Sequence, residues 1–165
     1  MASGRIFNPR ILLQVAPLLT STAHLCFAFD QYLFLRIFTK LENRKQSNAI
    51  LPFYFRSFFA PGVSIVILLH TATLSTGLLN LYLRPKTLVG CTRLYIIGLA
   101  FTLGHFAFIP AVARKVKAII DDEPRGESTR DLSRWLRIHL IRMLSVDIPG
   151  WMSLLVATLG SLKFD

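Results

Sequence analysis

Ionisable residues interrupt each of the four long apolar stretches of this sequence. An ionisable side chain inside a hydrocarbon layer is costly, and it usually faces the interior of a helical bundle or a water-filled cavity. The pattern therefore predicts that these side chains converge on one polar interior, where they could carry chemistry. They are, in chain order, His24, Asp30, His70, His105, His139, Arg142 and Asp147.

Asp30 and Asp147 are the acidic residues within the apolar stretches. An apolar pocket favours the protonated form of a carboxyl group, which can then act as a general acid, while a second carboxylate held ionised acts as the base. We expect Asp30 and Asp147 to be catalytic, with His139 and Arg142 orienting or tuning them. Such a pair suits the opening of an epoxide by water or by an internal hydroxyl. The alternative for Asp147 is a structural carboxylate neutralised by Arg142.

Three histidines, His24, His70 and His105, fall near the middle of their stretches. Three imidazoles and a carboxylate at one depth would resemble a ligand set for non-heme iron. The spacing, however, lacks the i, i+3 pairs that di-iron bundles use. We therefore expect no metal and no cofactor, and neutral histidines that form hydrogen bonds between helices. Histidines and aromatic residues are also expected to line the substrate pocket, namely His24, Tyr32, His70, His105, Phe106, Trp135 and Trp151.

The elements that must position these residues are membrane helices. A spanning helix needs about 20 mainly apolar residues, and stretches at about 11–38, 59–83, 94–113 and 138–162 meet this condition. Backbone groups in lipid must be paired within the segment, which favours helices. The composition agrees, with 53% hydrophobic and 17% charged residues. We predict one all-α domain over residues 1–165, a polytopic membrane four-helix bundle with antiparallel up-and-down topology.

Lysine and arginine predict the orientation of this bundle. The connector over residues 36–56 carries five and that over 114–137 carries seven, against six for both ends and the remaining connector. The positive-inside rule places the two richer connectors in the cytosol and both termini in the lumen, here of the endoplasmic reticulum. Although the net charge is +10, these residues would meet anionic lipid headgroups. We expect membrane lipids as partners and no nucleic acid.

Proline and glycine predict two irregular points. Pro124 and Gly126 indicate a loop between the third and fourth spans. Pro149 and Gly150 can kink the fourth span and so turn Asp147 towards a cavity.

The third span, which ends near Pro110, and the segment from Trp135 to Arg142 resemble a known family. It is the fungal and bacterial family of small four-helix membrane proteins that includes the anthrone oxygenases of polyketide clusters. The resemblance implies a tailoring enzyme of fungal secondary metabolism that acts, without a bound metal or flavin, on a hydrophobic polyketide or terpenoid. It also implies the endoplasmic reticulum membrane and association with other enzymes of the pathway. Asp30 and Asp147 inside the spans depart from that family.

We therefore predict an enzyme that opens an epoxide by acid–base chemistry, through hydrolysis or cyclisation, on a lipophilic small-molecule substrate. Two alternatives remain at this point. The first is a cofactor-free oxygenase similar to the anthrone oxygenases, which would consume dioxygen. The second is a non-catalytic membrane scaffold, in which the intramembrane aspartates and histidines could be replaced without loss of any chemical activity.

Overall fold

A computed structural model describes residues 8–83, 90–123 and 126–162, and every regular element in these ranges is helical. Short 3₁₀ turns join α1 to α2 and α3 to α4, and a π-turn joins α5 to α6. The all-α prediction is thus confirmed. The helices are α1 Pro9–Arg36, α2 Arg44–Leu83, α3 Thr92–Gly104, α4 Ile109–Ile120, α5 Ser128–Arg142 and α6 Ile148–Ser161.

Within these described ranges, four helical stretches are long and apolar enough to cross a membrane, in agreement with the predicted four-helix bundle. They run over Pro9–Thr39, Leu41–Leu83, Thr92–Ile120 and Ser128–Ser161. Large apolar side chains on their outer faces are exposed, as a lipid-facing surface requires; Leu68 and Phe34 are 67% and 60% accessible.

The helices extend beyond the predicted spans. The second begins at Arg44 rather than near Phe59, and much of the basic third connector is helical in α4 and α5. The predicted bounds followed only residues compatible with lipid, whereas a helix can continue into the headgroup region and water. Pro124 lies outside the described residues, as do Arg5, Arg84, Lys86, Arg125 and Lys163 from the charge count. Gly126 has a φ of 76°, a left-handed conformation that favours glycine in a turn.

Apolar packing holds the bundle together at both ends of its polar middle. One cluster joins the C-terminal end of α1 to α2, α4 and α5, and it includes Leu35, Phe55 and Trp135. A smaller cluster of Tyr95, Leu154 and Ala157 joins α3 to α6. His70 and His105 lie between residues of these clusters along their helical stretches, so apolar packing fixes those stretches on either side of them.

The helices α3 and α6 approach each other closely at two glycines. A Cβ atom added to Gly98 would lie 2.7 Å from Cγ of Leu154, and one added to Gly150 would lie 2.9 Å from Cβ of Phe101. Both distances are shorter than van der Waals contact, so this crossing depends on residues without side chains. The crossing brings the residues after Gly98 and before Gly150 together at the middle of the bundle.

Candidate active site

Two helix interruptions position the polar residues at the middle of the bundle. His105 begins the 3₁₀ turn His105–Phe108, and Asp147 ends the π-turn Met143–Asp147. Pro110 and Pro149 follow these turns, and a proline ring clashes with the carbonyl four residues earlier and lacks an amide hydrogen. The distortion predicted at Pro149 thus takes the form of a π-turn, a feature frequent at functional sites.

Three buried histidines from three helices form a tight cluster. The ring centroids of His24 and His70 are 4.3 Å apart, those of His70 and His105 are 4.2 Å apart, and those of His24 and His105 are 5.0 Å apart. One ring nitrogen from each lies within 4.8 Å of the other two. The expectation that these residues share one depth agrees with this geometry, and we call them the histidine cluster.

Hydrogen bonds define the tautomers of two members of the histidine cluster. Nδ1 of His70 lies 2.9 Å from the carbonyl oxygen of Val66, which can only accept, so His70 donates through Nδ1. Nδ1 of His105 lies 2.9 Å from Oδ1 of Asp147 and donates to that carboxylate. When neutral, both rings therefore have their lone pair on Nε2. Among the described residues neither nitrogen of His24 has a hydrogen-bond partner, although both are buried; Nε2 lies 3.8 Å from Oδ2 of Asp147, beyond hydrogen-bond distance.

Asp147 also ends a chain of hydrogen bonds through the fourth span. Nε of Arg142 donates to its Oδ2 at 3.3 Å, and Nη2 of Arg142 donates to Nδ1 of His139 at 3.0 Å. His139 in turn donates through Nε2 to the carbonyl of Ala28 at 2.8 Å. Arg142 and Asp147 have side chains only 9% and 3% accessible. The charges are thus buried as a pair, which a low-dielectric interior requires.

Asp30 does not join this network, which corrects the predicted pair of carboxylates. It is exposed on α1, and within the described ranges the hydrogen bonds and ion pairs of Asp147 go to His24, His105 and Arg142. The reason is helical geometry. Asp30 follows His24 by six residues, which rotates it about 240° around the helix and moves it about 9 Å along the axis.

A largely apolar cavity of about 410 Å³ lies beside the polar centre. His105 and Arg142 border it, together with Phe106 and Trp135, which the sequence analysis assigned to the substrate pocket. Sequence reasoning missed most of its walls, because apolar pocket residues and lipid-facing residues are of the same types. The missed residues include the apolar Phe55, Phe58, Phe59, Val63 and Val66, as well as Gly62 and the polar Gln31.

The two remaining predicted pocket residues lie elsewhere. Trp151 borders a small cavity of about 20 Å³ with His24, His70 and Asp147, and its Nε1 donates to Oγ1 of Thr22 at 2.8 Å. Tyr32 packs against the apolar cluster around Leu35 and borders a separate surface pocket. The structure thus brings Trp151 to the histidine cluster and leaves Tyr32 away from it.

These features define a class of protein: a four-helix bundle with membrane-length apolar helices, a buried histidine, aspartate and arginine centre, and an adjoining apolar cavity. The chain is 30% identical over 156 residues to the epoxidase pydX of an Acremonium species, covering 93% of this chain and 96% of the relative. It belongs to the family of fungal proteins that includes this epoxidase.

Other relatives carry related names. The probable epoxidase scpX of Mollisia scopiformis is 29% identical over 92% of this chain and 96% of its own length. The epoxidase gkaX of Penicillium citrinum is 28% identical over 92% of this chain and 95% of its own length. No protein-family model matches the chain, and no solved structure matches it. The resemblance to anthrone oxygenases therefore stays a prediction.

Proposed function

We propose that this protein is an integral membrane tailoring enzyme of fungal secondary metabolism that forms an epoxide on a lipophilic alkene. The observation that carries the proposal is the cavity of about 410 Å³, whose apolar walls end at His105 and Arg142. A hydrophobic substrate in this cavity would present a carbon–carbon double bond to the polar centre. The relatives named epoxidases support the same chemistry.

The proposed reaction adds one atom of dioxygen across the double bond, which forms two carbon–oxygen bonds and breaks the carbon–carbon π bond. The second oxygen atom leaves as water, with two protons and with two electrons from a cellular two-electron reductant. His105 and Arg142 are the ionisable groups that border the cavity. Arg142 would stabilise developing negative charge, and Asp147 would orient both His105 and Arg142 through its two hydrogen bonds.

The proposed substrate is a polyketide or terpenoid of drug-like size. Ligand pockets of about 300–1,000 Å³ are mostly apolar with a few placed polar groups, and this cavity fits that description. Entry from the bilayer, location in the endoplasmic reticulum and contact with other pathway enzymes belong to the same proposal. We also propose that both termini lie in the lumen, as the lysine and arginine distribution predicts, and glycosylation of an acceptor sequence added to either end would check this.

Oxygen labelling tests the function. Membranes that contain the protein would be supplied with candidate alkenes and a reductant under ¹⁸O₂, and product masses compared with those from membranes carrying Asp147→Asn. We expect a product that carries one ¹⁸O atom, and little of it from the variant. A product that forms equally well under argon, or that takes its oxygen only from labelled water, would overturn the proposal.

Epoxide opening is a second candidate, and the pair formed by His105 and Asp147 favours it, because an imidazole bonded to a carboxylate can activate water. Asp30 is exposed and lies away from the centre, so Asp147 lacks the second carboxyl group that the predicted acid–base mechanism requires. Epoxide opening is therefore the weaker candidate. The labelling experiment separates the two. Hydrolysis would add the elements of labelled water under argon, and cyclisation would leave the mass unchanged.

A further inference from the structure

We propose that His24, His70 and His105 together bind one redox-active transition-metal ion, iron or copper. The site itself rests on the geometry of the histidine cluster, while the choice of a redox-active ion rests on the function proposed above. The proposal replaces the expectation, drawn from sequence spacing, that these histidines bind no metal. Imidazole is a common ligand of iron, copper and zinc.

The first argument is distance. Two nitrogens bound to one transition metal at about 2.1 Å lie roughly 3–4 Å apart in tetrahedral or octahedral geometry. In this cluster one nitrogen from each ring lies within 4.8 Å of the others. A contraction of less than about 2 Å at any pair, achieved by small side-chain rotations, would complete the site. The three rings come from three different helices, so α1, α2 and the turn after α3 would be joined by the ion.

The second argument concerns the hydrogen bonds made by the ring nitrogens that would not bind the metal. Metal-bound histidines almost always donate their other ring hydrogen to a carbonyl or carboxylate, which fixes the tautomer and raises the basicity of the ligand. His70 donates to the carbonyl of Val66 and His105 donates to Asp147. Each ring is thereby prepared to bind a cation through Nε2. We place Asp147 as a positioning residue that acts through His105.

The third argument is His24. Both of its nitrogens are buried without a hydrogen-bond partner among the described residues, since Oδ2 of Asp147 is 3.8 Å from Nε2, and an unsatisfied buried polar group destabilises the fold. Of the hydrogen bonds between helices that the sequence predicts for these rings, His105 makes one to Asp147, whereas His70 bonds within its own helix and His24 has none in the described residues. A metal ion would satisfy His24 and relieve this cost.

The fourth argument is space beside the cluster. The small cavity of about 20 Å³ is bordered by His24, His70 and Asp147, and about one water-sized ligand fits such a volume. His105 borders the large apolar cavity as well. The cluster would therefore have room for one small ligand beside the ion, and its member His105 also faces the proposed substrate cavity.

The experiment measures metal content and metal spectra rather than turnover. The full chain, purified in detergent, would be loaded separately with Fe(II), Cu(II) and Zn(II), passed through a desalting column and analysed. We expect about one equivalent of iron or copper per chain, and less than a tenth of that in His24→Gln. Among the described residues, His24 is the member of the cluster without a hydrogen bond, so this variant removes no hydrogen bond from the fold. Asp30→Asn, which alters an exposed potential ligand on the same helix, is the matched control and should retain the metal.

A second measurement needs no variant. Pulsed electron paramagnetic resonance of the Cu(II) form, with histidine labelled with ¹⁵N, should show couplings from imidazole nitrogens. Wild-type protein that retains neither iron nor copper, retains only zinc, or shows no coupling to histidine would overturn the proposal. A protein that forms epoxide without metal would refute this site and leave the function standing. A protein that binds metal through these histidines but forms no epoxide would refute the function and leave the site standing.

Discussion

Asp147 bonds to both charged and neutral neighbours at the centre of the bundle. One carboxylate oxygen accepts a hydrogen bond from His105 and the other accepts one from Arg142. A single carboxylate therefore fixes the positions of one member of the histidine cluster and of the buried guanidinium relative to each other. The chain of bonds continues through His139 to the backbone of α1 at Ala28. Replacement of any member is therefore expected to disturb the hydrogen bonds of the others.

We predict that the ion pair of Arg142 and Asp147 contributes strongly to stability. Asp147→Asn or Arg142→Gln should each cost about 3–5 kcal/mol, since removal of one partner leaves a buried charge. The double variant should lose clearly less than the sum. Reversible unfolding in mixed detergent micelles measures these energies. Losses that simply add would show that the two side chains do not interact, and exposed Asp30→Asn is the control, with a change within about 0.5 kcal/mol.

At the scale of elements, glycine governs how closely α3 and α6 can pack. A Cβ atom on Gly98 would lie 2.7 Å from Leu154 and 3.2 Å from the backbone oxygen of Gly150. Leu154 is fully buried and has no room to withdraw. The π-turn that ends at Asp147 begins α6 just before this crossing, so the position of the carboxylate depends on the close approach of the two helices.

We predict that Gly98→Ala destabilises the bundle by about 1–3 kcal/mol, the usual cost of overpacking a well-filled interior. Gly104→Ala is the matched control on the same helix, because its Cβ would meet only Val146 at 3.7 Å, an ordinary contact. Thermal unfolding of the two purified variants would show the difference. Equal melting temperatures would mean that α3 and α6 are not packed as closely as described.

At the scale of the whole molecule, the apolar exterior and the large apolar cavity have the same chemical character but different roles. Lipid would cover the first, and the proposed substrate would fill the second. Val63 and Ile65 illustrate the distinction on one helix. Val63 borders the cavity, whereas Ile65, two residues later, is 41% accessible on the outside.

We predict that Val63→Trp lowers kcat/KM for the alkene by about tenfold or more, because a pocket that encloses most of its ligand cannot also hold an indole. Metal content should be unchanged, since Val63 does not border the small cavity beside His24 and His70. Ile65→Trp places the same side chain on the outer face and should retain near-wild-type turnover. Equal rates for the two variants would place the substrate outside this cavity.

The sequence by itself determined the depth of each residue in the bundle. Runs of apolar residues defined four spans, and the positions of His24, His70 and His105 within them placed the three imidazoles at one level, as the structure has them. Depth follows from hydropathy because the polarity of a membrane changes along its normal, so apolar runs must lie in the hydrocarbon layer. The tertiary structure alone decided rotation about each helix, which depends on packing against neighbours. Rotation directs Asp30 outwards and keeps Tyr32 away from the cluster, while Asp147 turns inwards to His105. It also separates cavity residues from lipid-facing residues of the same types, a distinction that hydropathy does not contain.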